Sequence, residues 1–340
     1  MRSNERSDNM ATMPKEPLAG VEKPYHLYHA EAHVLSGNLK HPVDQPIEHH
    51  ARVVLKNRRS DHIMEKVEET SLEGLISFKA GHTRVSGTQL KNKKDLWGND
   101  HSGWVTLSTS VIEGLNVFEV VTADRVVAQV STEHASRKGD DSDRVPKVTF
   151  LGTRFENLRV GGFPVQVELD FGICGERPKD DRSYLQHPDF LDRVRRQLDD
   201  IAGAKGIPGE LEKQYDAKVA YIDDLKKRAN GRAKGDRNGY PKLQCSLVKS
   251  IGPIPIPGVR TFGNIIFIPD FGTVALAEIE VGITPGNKDL PEEIRASSPA
   301  DLGDSNYFTL NMLNMHLGCI AGGTLTGASV TANGSHGPGH

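Results

Sequence analysis

Alternating apolar and polar positions dominate the first half of the chain and predict β-strands. In WVTLSTSV (104–111), Val105, Leu107 and Val111 fall on one face, and a tryptophan and hydroxyl side chains fall on the other. In FPVQVELDF (163–171), apolar residues alternate with polar ones in the same way. A period of two places one face of a strand on a core and the other in water, which antiparallel sheets commonly tolerate. Residues 25–171 are therefore predicted to form antiparallel strands whose apolar faces meet the core.

The pattern changes to a helical period between residues 187 and 230. Two sets of apolar residues recur at helical spacing: Phe190, Leu191, Val194, Leu198 and Ile201, then Leu211, Tyr215, Val219, Ile222 and Leu225. The segment GAKGIPGE separates the two sets and predicts a helix stop followed by a restart at Pro208. Acidic residues in the first turn of the second helix and basic residues in its last turn suit the helix dipole. The sequence therefore predicts a helical hairpin inserted at 187–230.

Strand patterns return after Tyr240. Prolines at 253, 255 and 257 exclude a central strand, because each lacks a ladder donor, and predict an extended or edge segment. The later runs predict two strand pairs, the first joined across 269–272 and the second formed by YFTLNMLNMHLG and GGTLTGASVTAN. The fold class predicted is mainly β, an antiparallel β-sandwich or a partly closed barrel with an inserted α-helical hairpin. A disordered arm (1–24), one β-rich domain (25–331) and a disordered tail (332–340) complete the organisation.

A short motif recurs three times in the β-rich half of the chain. Glu73-Gly74-Leu75 leads to Phe78, Glu113-Gly114-Leu115 leads to Phe118, and Glu156-Asn157-Leu158 leads to Val160-Gly161. Gly or Asn at the second position suits a backbone that needs a positive φ, a bulge or a tight bend. We interpret the motif as a recurring bend between strands in repeated strand pairs. The alternative is a repeated ligand site formed by the three glutamates.

The order of several segments resembles bacterial choice-of-anchor repeat proteins. The segments are VTADRVVAQV, FLGTRFENLRVGGFPVQV, IPDFGTVALAEIEVG and FTLNMLNMHL. The resemblance covers about 104–171 and 263–331, and it implies a β-rich, mostly uncharacterised repeat protein. This sequence departs from that pattern by lacking an export signal and by inserting the helical hairpin, and the resemblance transfers no catalytic residue.

Composition constrains the cellular environment of the protein more than it constrains the chemistry the protein could perform. The formal net charge of −3 gives no electrostatic argument for nucleic-acid binding. The sequence contains no run of 18 apolar residues, so no membrane-spanning helix is predicted. The cysteines, Cys174, Cys245 and Cys319, form no C-x-x-C pair and predict reduced, partly buried thiols. The polar N-terminus lacks the apolar stretch of a secretory signal, so a cytoplasmic location is expected by default, with non-classical export to the cell surface left open.

The sharpest polar cluster is YHLYHAEAHVLSG, near the N-terminus. On a strand at 28–35, His29, Glu31 and His33 lie on one face, about 6.6 Å apart per two-residue step. Imidazole and carboxylate groups are ligands for zinc, iron or copper, so these three residues are the candidate metal ligands. A flat strand holds the two histidines too far apart for one ion, so the site needs a bulge or a second strand. Four nearby histidines could complete it: His26, His41, His49 and His50.

Other candidate chemistry has simpler explanations. Asp100 and His101 are predicted to lie in a turn, and the acidic run 140–143 lacks the Gly and the terminal Glu of a calcium-binding EF-hand loop. The arginines at 193, 195 and 196 have acidic neighbours at 192, 199 and 200, which favours a mixed, solvated helix face over a nucleic-acid patch. None of the common motifs for a nucleophile elbow, dinucleotide, nucleotide-phosphate or zinc-protease site occurs in the sequence.

The leading functional hypothesis is a non-catalytic structural or binding protein that associates with itself or with another protein and needs no cofactor. Repeated strand units and the absence of catalytic motifs favour it. A metal-dependent enzyme that uses the His-rich strand, with a divalent transition metal, is one alternative. A small-molecule carrier with its ligand inside a β-barrel is another.

Overall fold

The computed structural model describes eight ranges of the chain: 25–41, 44–94, 100–135, 145–178, 182–229, 241–284, 305–318 and 322–337. The predicted arm at 1–24, the loops around residues 140 and 290, and Cys319 lie outside the described residues. Antiparallel strands make up most of the described chain.

The elements follow one another along the chain in three groups. The first group of strands is β1 (Tyr25–Leu39), β2 (Gln45–Ile47), β3 (Val53–Asn57), β4 (Asp61–Val67), β5 (Thr70–Leu72), β6 (Ile76–Phe78), β7 (Ala80–Lys94), β8 (Asp100–Val117), β9 (Val121–Ala135), β10 (Lys147–Thr149), β11 (Arg154–Glu156), β12 (Arg159–Val160), β13 (Phe163–Pro164) and β14 (Val167–Leu169). The helices are a 3-10 turn at Tyr184–Gln186, α1 (Pro188–Ala202) and α2 (Gly209–Ala229). The last strands are β15 (Lys242–Ser246), β16 (Val248–Ile251), β17 (Arg260–Phe262), β18 (Ile265–Ile268), β19 (Gly272–Thr284), β20 (Ser305–Leu317) and β21 (Gly323–Gly337).

The described strands form two large antiparallel sheets. Sheet A runs β17-β18-β19-β20-β21-β1-β2, with β15 also paired to β19 and β3 to β1. Sheet B is built on the β7-β8-β9 meander, which the shorter strands between β4 and β13 extend. In addition, β14 and β16 form a small two-stranded sheet. Sheets A and B are open and pack face to face through β1, β20 and β21 against β7, β8 and β9. The prediction of a β-sandwich with a helical insertion is therefore confirmed, and the sheets do not close into a barrel.

The helical hairpin forms where the apolar period predicts it. The five apolar residues of α1 are all buried, and in α2 Tyr215, Ile222 and Leu225 are buried. Gln197 anchors α1 to the end of β15, because its side-chain amide donates to the carbonyl of Ser246 and accepts from the Ser246 amide. The hairpin therefore shares the core of the sandwich.

The prediction of which face of β8 meets the core is wrong. Thr106, Ser108 and Ser110 are fully buried between the sheets, whereas Val105 and Leu107 are only half-buried. The Ser108 hydroxyl donates to the carbonyl of Glu31 (2.7 Å), and the Ser110 hydroxyl donates to the carbonyl of His33 (2.8 Å). Small hydroxyl side chains let β1 approach β8 closely, and hydrogen bonding offsets the cost of burying Ser108 and Ser110, whereas the buried Thr106 hydroxyl has no hydrogen-bond partner in the described part of the chain.

Strands of sheet A exchange their inner and outer faces along one line. In β20 the buried positions are even-numbered from Asn306 to Met312 and odd-numbered from Leu313 onward. The register skips Met312 together with its neighbours Ala277 on β19 and Ala328 on β21. These two alanines have positive φ values of 47° and 49°. A left-handed residue in the middle of a strand rotates the following side chains to the opposite face.

The three copies of the repeated motif share a backbone feature and differ in their surroundings. The second residue has a positive φ in each: 69° at Gly74, 63° at Gly114 and 51° at Asn157. Gly74 lies in the turn between β5 and β6, and Gly114 lies within β8, where the register skips it. Asn157 lies between β11 and β12. The motif thus marks a bend in three different contexts.

Three sequence-based boundaries need correction. Residues 332–337 are not a disordered tail, because they continue β21 and pair with β1 from Tyr25 to Ala30. FPVQVELDF is not one strand, because its first residues pair with β12 and its later ones with β16, which leaves Phe171 exposed. Asp100 and His101 do not lie in a turn, because they begin β8 and pair with Lys94 and Lys93. The prolines at 253–257 lie outside regular strands, between β16 and β17, as predicted.

Candidate functional site

The candidate metal ligands His29, Glu31 and His33 lie on strand β1, as predicted, but Glu31 and His33 have separate partners. Glu31 forms an ion pair with Arg52 at 2.8 Å. His33 is buried, its ring packs against that of His49 with centroids 4.5 Å apart, and its Nε2 lies 3.0 Å from the Ser36 hydroxyl. Among the described residues, no three His, Cys, Asp or Glu side chains gather as a metal ion requires. The metal assignment of His29, Glu31 and His33 stays a prediction without geometric support.

Burial dominates the protonation of these histidines. It lowers the pKa of His33 to about 4, and the nearby His49 and Arg52 act in the same direction. Burial also lowers the pKa of His29, with a further contribution from Lys56. Both imidazoles are therefore neutral at neutral pH.

Two of the repeated glutamates reach a common surface depression. Glu113 and Glu156 line it together with Lys79, Asp124 and Arg125. Each of these two glutamates is already ion-paired, Glu113 with Arg125 and Glu156 with Arg154. Glu73 lies elsewhere, in the turn that follows β5. The geometry therefore gives no support to a ligand site shared by all three glutamates.

The most developed site is a cleft between the start of α2 and the face of sheet A that is turned away from sheet B. We call it the α2 cleft; its volume is about 440 Å³. Its lining is Pro208, Glu210, Leu211, Gln214, Tyr215, Lys218, Gln244, Ile265, Phe267, Thr273, Ala275, Glu278, Asn314 and His316. Clefts of 300–1,000 Å³ with apolar walls and a few convergent polar groups are the usual form of a small-molecule site.

Two residues of α2 supply the donors of this cleft. Tyr215 and Lys218 are three positions apart, so they lie on the same face of the helix. The Lys218 Nζ atom lies 4.5 Å from the centre of the Tyr215 ring, within the range of a cation–π contact. Tyr215 is only 3% exposed, and within the described ranges its hydroxyl has no hydrogen-bond partner. In the same ranges no carboxylate lies within ion-pair distance of Lys218.

The opposite wall of the cleft comes from the line where sheet A exchanges its faces. Ala275 precedes that line on β19 and Glu278 follows it, so both reach the outer face although they are an odd number of residues apart. The Asn314 amide donates to Glu278 Oε2 at 2.8 Å and fixes this carboxylate. The left-handed Ala277 is therefore what brings Glu278 beside the apolar floor of the cleft.

Electrostatics in the cleft follow from burial and from Glu278. Burial lowers the pKa of Lys218, and the negative charge of Glu278 partly offsets this effect. Burial raises the pKa of Tyr215, and Glu278 raises it further. The tyrosine therefore stays protonated and available as a hydrogen-bond donor at every physiological pH.

The sequence contains only a weak signal for this cleft. Tyr215 belongs to the apolar stripe of α2, but its aromatic ring carries a hydroxyl that needs a partner when buried. The residues on β18, β19 and β20 carry no signal, because only the tertiary fold brings them opposite the helix.

A family model described as a domain of unknown function (DUF8256) matches residues 26–282. The chain belongs to this family. The matched range includes the α2, β15, β18 and β19 walls of the cleft, whereas Asn314 and His316 on β20 lie beyond it. No curated protein and no solved structure matches the chain. Because the family description states no activity, and the resemblance to choice-of-anchor proteins stays a prediction, function must be argued from the cleft.

Neither the buried thiols nor the lengths of the helices favour one functional class over another. Cys174 and Cys245 are buried and free, and burial raises the pKa of both thiols, to about 12 for Cys174. Thiols with raised pKa values are poor nucleophiles. Within the described ranges, no helix has the length and apolar character to cross a membrane.

Proposed function

We propose that this protein is a non-catalytic binding protein whose ligand is a small organic molecule held in the α2 cleft. The observation that carries the proposal is Tyr215, a 3% exposed residue that lines the cleft and whose hydroxyl has no hydrogen-bond partner among the described residues. A tyrosine ring buried in a wall of the cleft, with its hydroxyl unpartnered, presents a hydrogen-bond donor to whatever enters. A ligand that accepts this hydrogen bond supplies the missing partner, which supports a binding role for the residue.

The walls of the cleft support a ligand with both apolar and polar parts. Ile265, Phe267 and Leu211 offer apolar surface, and Gln244 and Asn314 offer amide groups at the edge. None of the described lining residues makes the hydrogen-bonded nucleophile–base pair of covalent catalysis. This arrangement favours binding over chemistry. For a small-molecule carrier, the ligand would then lie on the outside of the sandwich and not inside a barrel.

Ligand-observed NMR with a fragment library of acids, amines, alcohols and neutral amides tests the proposal. Hits should disappear on Thr273→Trp, because Thr273 lines the cleft on β19 and the larger ring fills it. Thr309→Trp is the matched control, since Thr309 lies on β20 and does not line the cleft. Hits that survive Thr273→Trp, or a library without hits on the wild-type chain, would contradict the proposal.

A further inference from the structure

The cleft presents donors that lack an acceptor among the described residues, and one of them is the half-buried cation of Lys218. Lys218 is packed between the Tyr215 ring and the outer face of sheet A, and burial there weakens the hydration of its ammonium group. A charge moved out of water is costly unless it is paired and hydrogen-bonded. The described part of the chain provides no acceptor for it.

Glu278 lies near enough to influence Lys218 without forming an ion pair with it. One of its oxygens, Oε2, is held by the Asn314 amide. The negative charge of Glu278 therefore favours the charged form of the lysine, and the pairing position on the ammonium group stays open to a molecule that enters the cleft.

We infer that the ligand of the α2 cleft carries a carboxylate at one end of an apolar body, and that Lys218 and Tyr215 receive the carboxylate. This inference rests on the proposed function and specifies its ligand class. One carboxylate oxygen accepts from the ammonium group and the other from the phenol, since an ionised carboxylate has two oxygens and no donor. The apolar body lies against Ile265 and Phe267.

The charge of the ligand decides between this class and its rivals. A neutral amide of the same shape still offers one acceptor oxygen, but it forfeits the charge-assisted hydrogen bond, which is roughly twice as strong as a neutral one. An amine would oppose Lys218 and favour Glu278 and Glu210 instead. The relative affinities of acids, amides and amines of equal size therefore test the role of Lys218 directly.

The test uses cinnamate and hexanoate, their neutral amides and hexylamine, each titrated into the full-length chain by calorimetry or NMR. At least one acid should bind about tenfold more tightly than its amide, the factor expected for one charge-assisted hydrogen bond. Lys218→Met keeps the apolar stem and should remove the difference between acid and amide. Lys213→Met is the matched control, because Lys213 is an exposed lysine on the same helix outside the cleft, and it should keep the difference.

Each outcome separates this inference from the proposed function. Amides or hexylamine that bind as tightly as the acids, and are blocked by Thr273→Trp, overturn the carboxylate assignment and leave the cleft as a binding site. Acids that fail to bind while other fragments occupy the cleft have the same meaning. An acid preference that survives Lys218→Met overturns the role of the lysine.

Discussion

Lys218 and Tyr215 lie one helical turn apart on α2, with the lysine Nζ atom 4.5 Å from the centre of the tyrosine ring. This contact places a half-buried cation and a buried phenol at the mouth of the same cleft. Neither polar group has a hydrogen-bond partner among the described residues. The proposed binding role of the cleft rests on this pair.

Tyr215→Phe should separate binding from stability. Removal of a hydroxyl that has no protein partner should leave the free energy of unfolding unchanged or slightly higher, within about 0.5 kcal/mol. Ligand affinity in the α2 cleft should fall, because the donor is lost. Urea unfolding and fragment titration measure the two effects. A loss of stability above about 1 kcal/mol would show that the hydroxyl has a structural role.

Ser110→Ala should destabilise the sandwich by about 1–2 kcal/mol. The Ser110 hydroxyl is buried and donates to the carbonyl of His33, so the alanine leaves a buried carbonyl with one hydrogen bond fewer. Thr109→Ala is the control, since Thr109 is the neighbouring residue on the opposite face and is only half-buried. Equal losses for the two variants, measured by urea unfolding, would contradict the role assigned to the hydroxyl face of β8.

Gly114→Ala should lower the free energy of unfolding by about 1–2 kcal/mol, because an alanine is strained in the left-handed conformation at a φ of 63°. The added Cβ would also lie 2.6 Å from the Cγ atom of Lys79, so the stem of that lysine must shift. Gly74→Ala gives the matched comparison, since its φ is also positive and no atom lies within 4 Å of the added Cβ. If both substitutions leave the urea midpoint unchanged, the repeated motif does not mark a required bend.

Acid should destabilise the protein through His33. Below pH 6.5 the unfolded chain protonates this histidine, whereas the folded chain keeps it neutral down to about pH 4. The free energy of unfolding should therefore fall as the pH drops through this window, by about 1.4 kcal/mol per pH unit for one histidine. The neighbouring Glu31, His49 and Arg52 are unchanged in the control variant His33→Gln.

The slope of unfolding free energy against pH should be shallower in His33→Gln by one proton. Urea unfolding at several pH values between 6.5 and 4 measures this slope for both proteins. An identical slope for the wild type and the variant would show that His33 is not held neutral in the folded state.

Periodicity in the sequence was sufficient to predict the fold class and the helical hairpin. The apolar period of α1 identifies its buried face correctly, because a helix packs through one apolar stripe, and the spacing of the apolar residues determines where that stripe lies. Glycine or asparagine at the second position of the repeated motif likewise predicted the positive φ found there, since few other residues tolerate that conformation.

The orientation of β8 and the position of the cleft depended on the tertiary structure. Alternation assigns two faces to a strand but does not say which one a partner sheet will cover, and at Thr106, Ser108 and Ser110 the polar face is the covered one. Ala277 exchanges the faces of β19 although alanine gives no sign of a left-handed backbone. Tyr215 and Glu278 meet only because α2 crosses the outer face of sheet A, and a contact between residues so distant in sequence is set by packing.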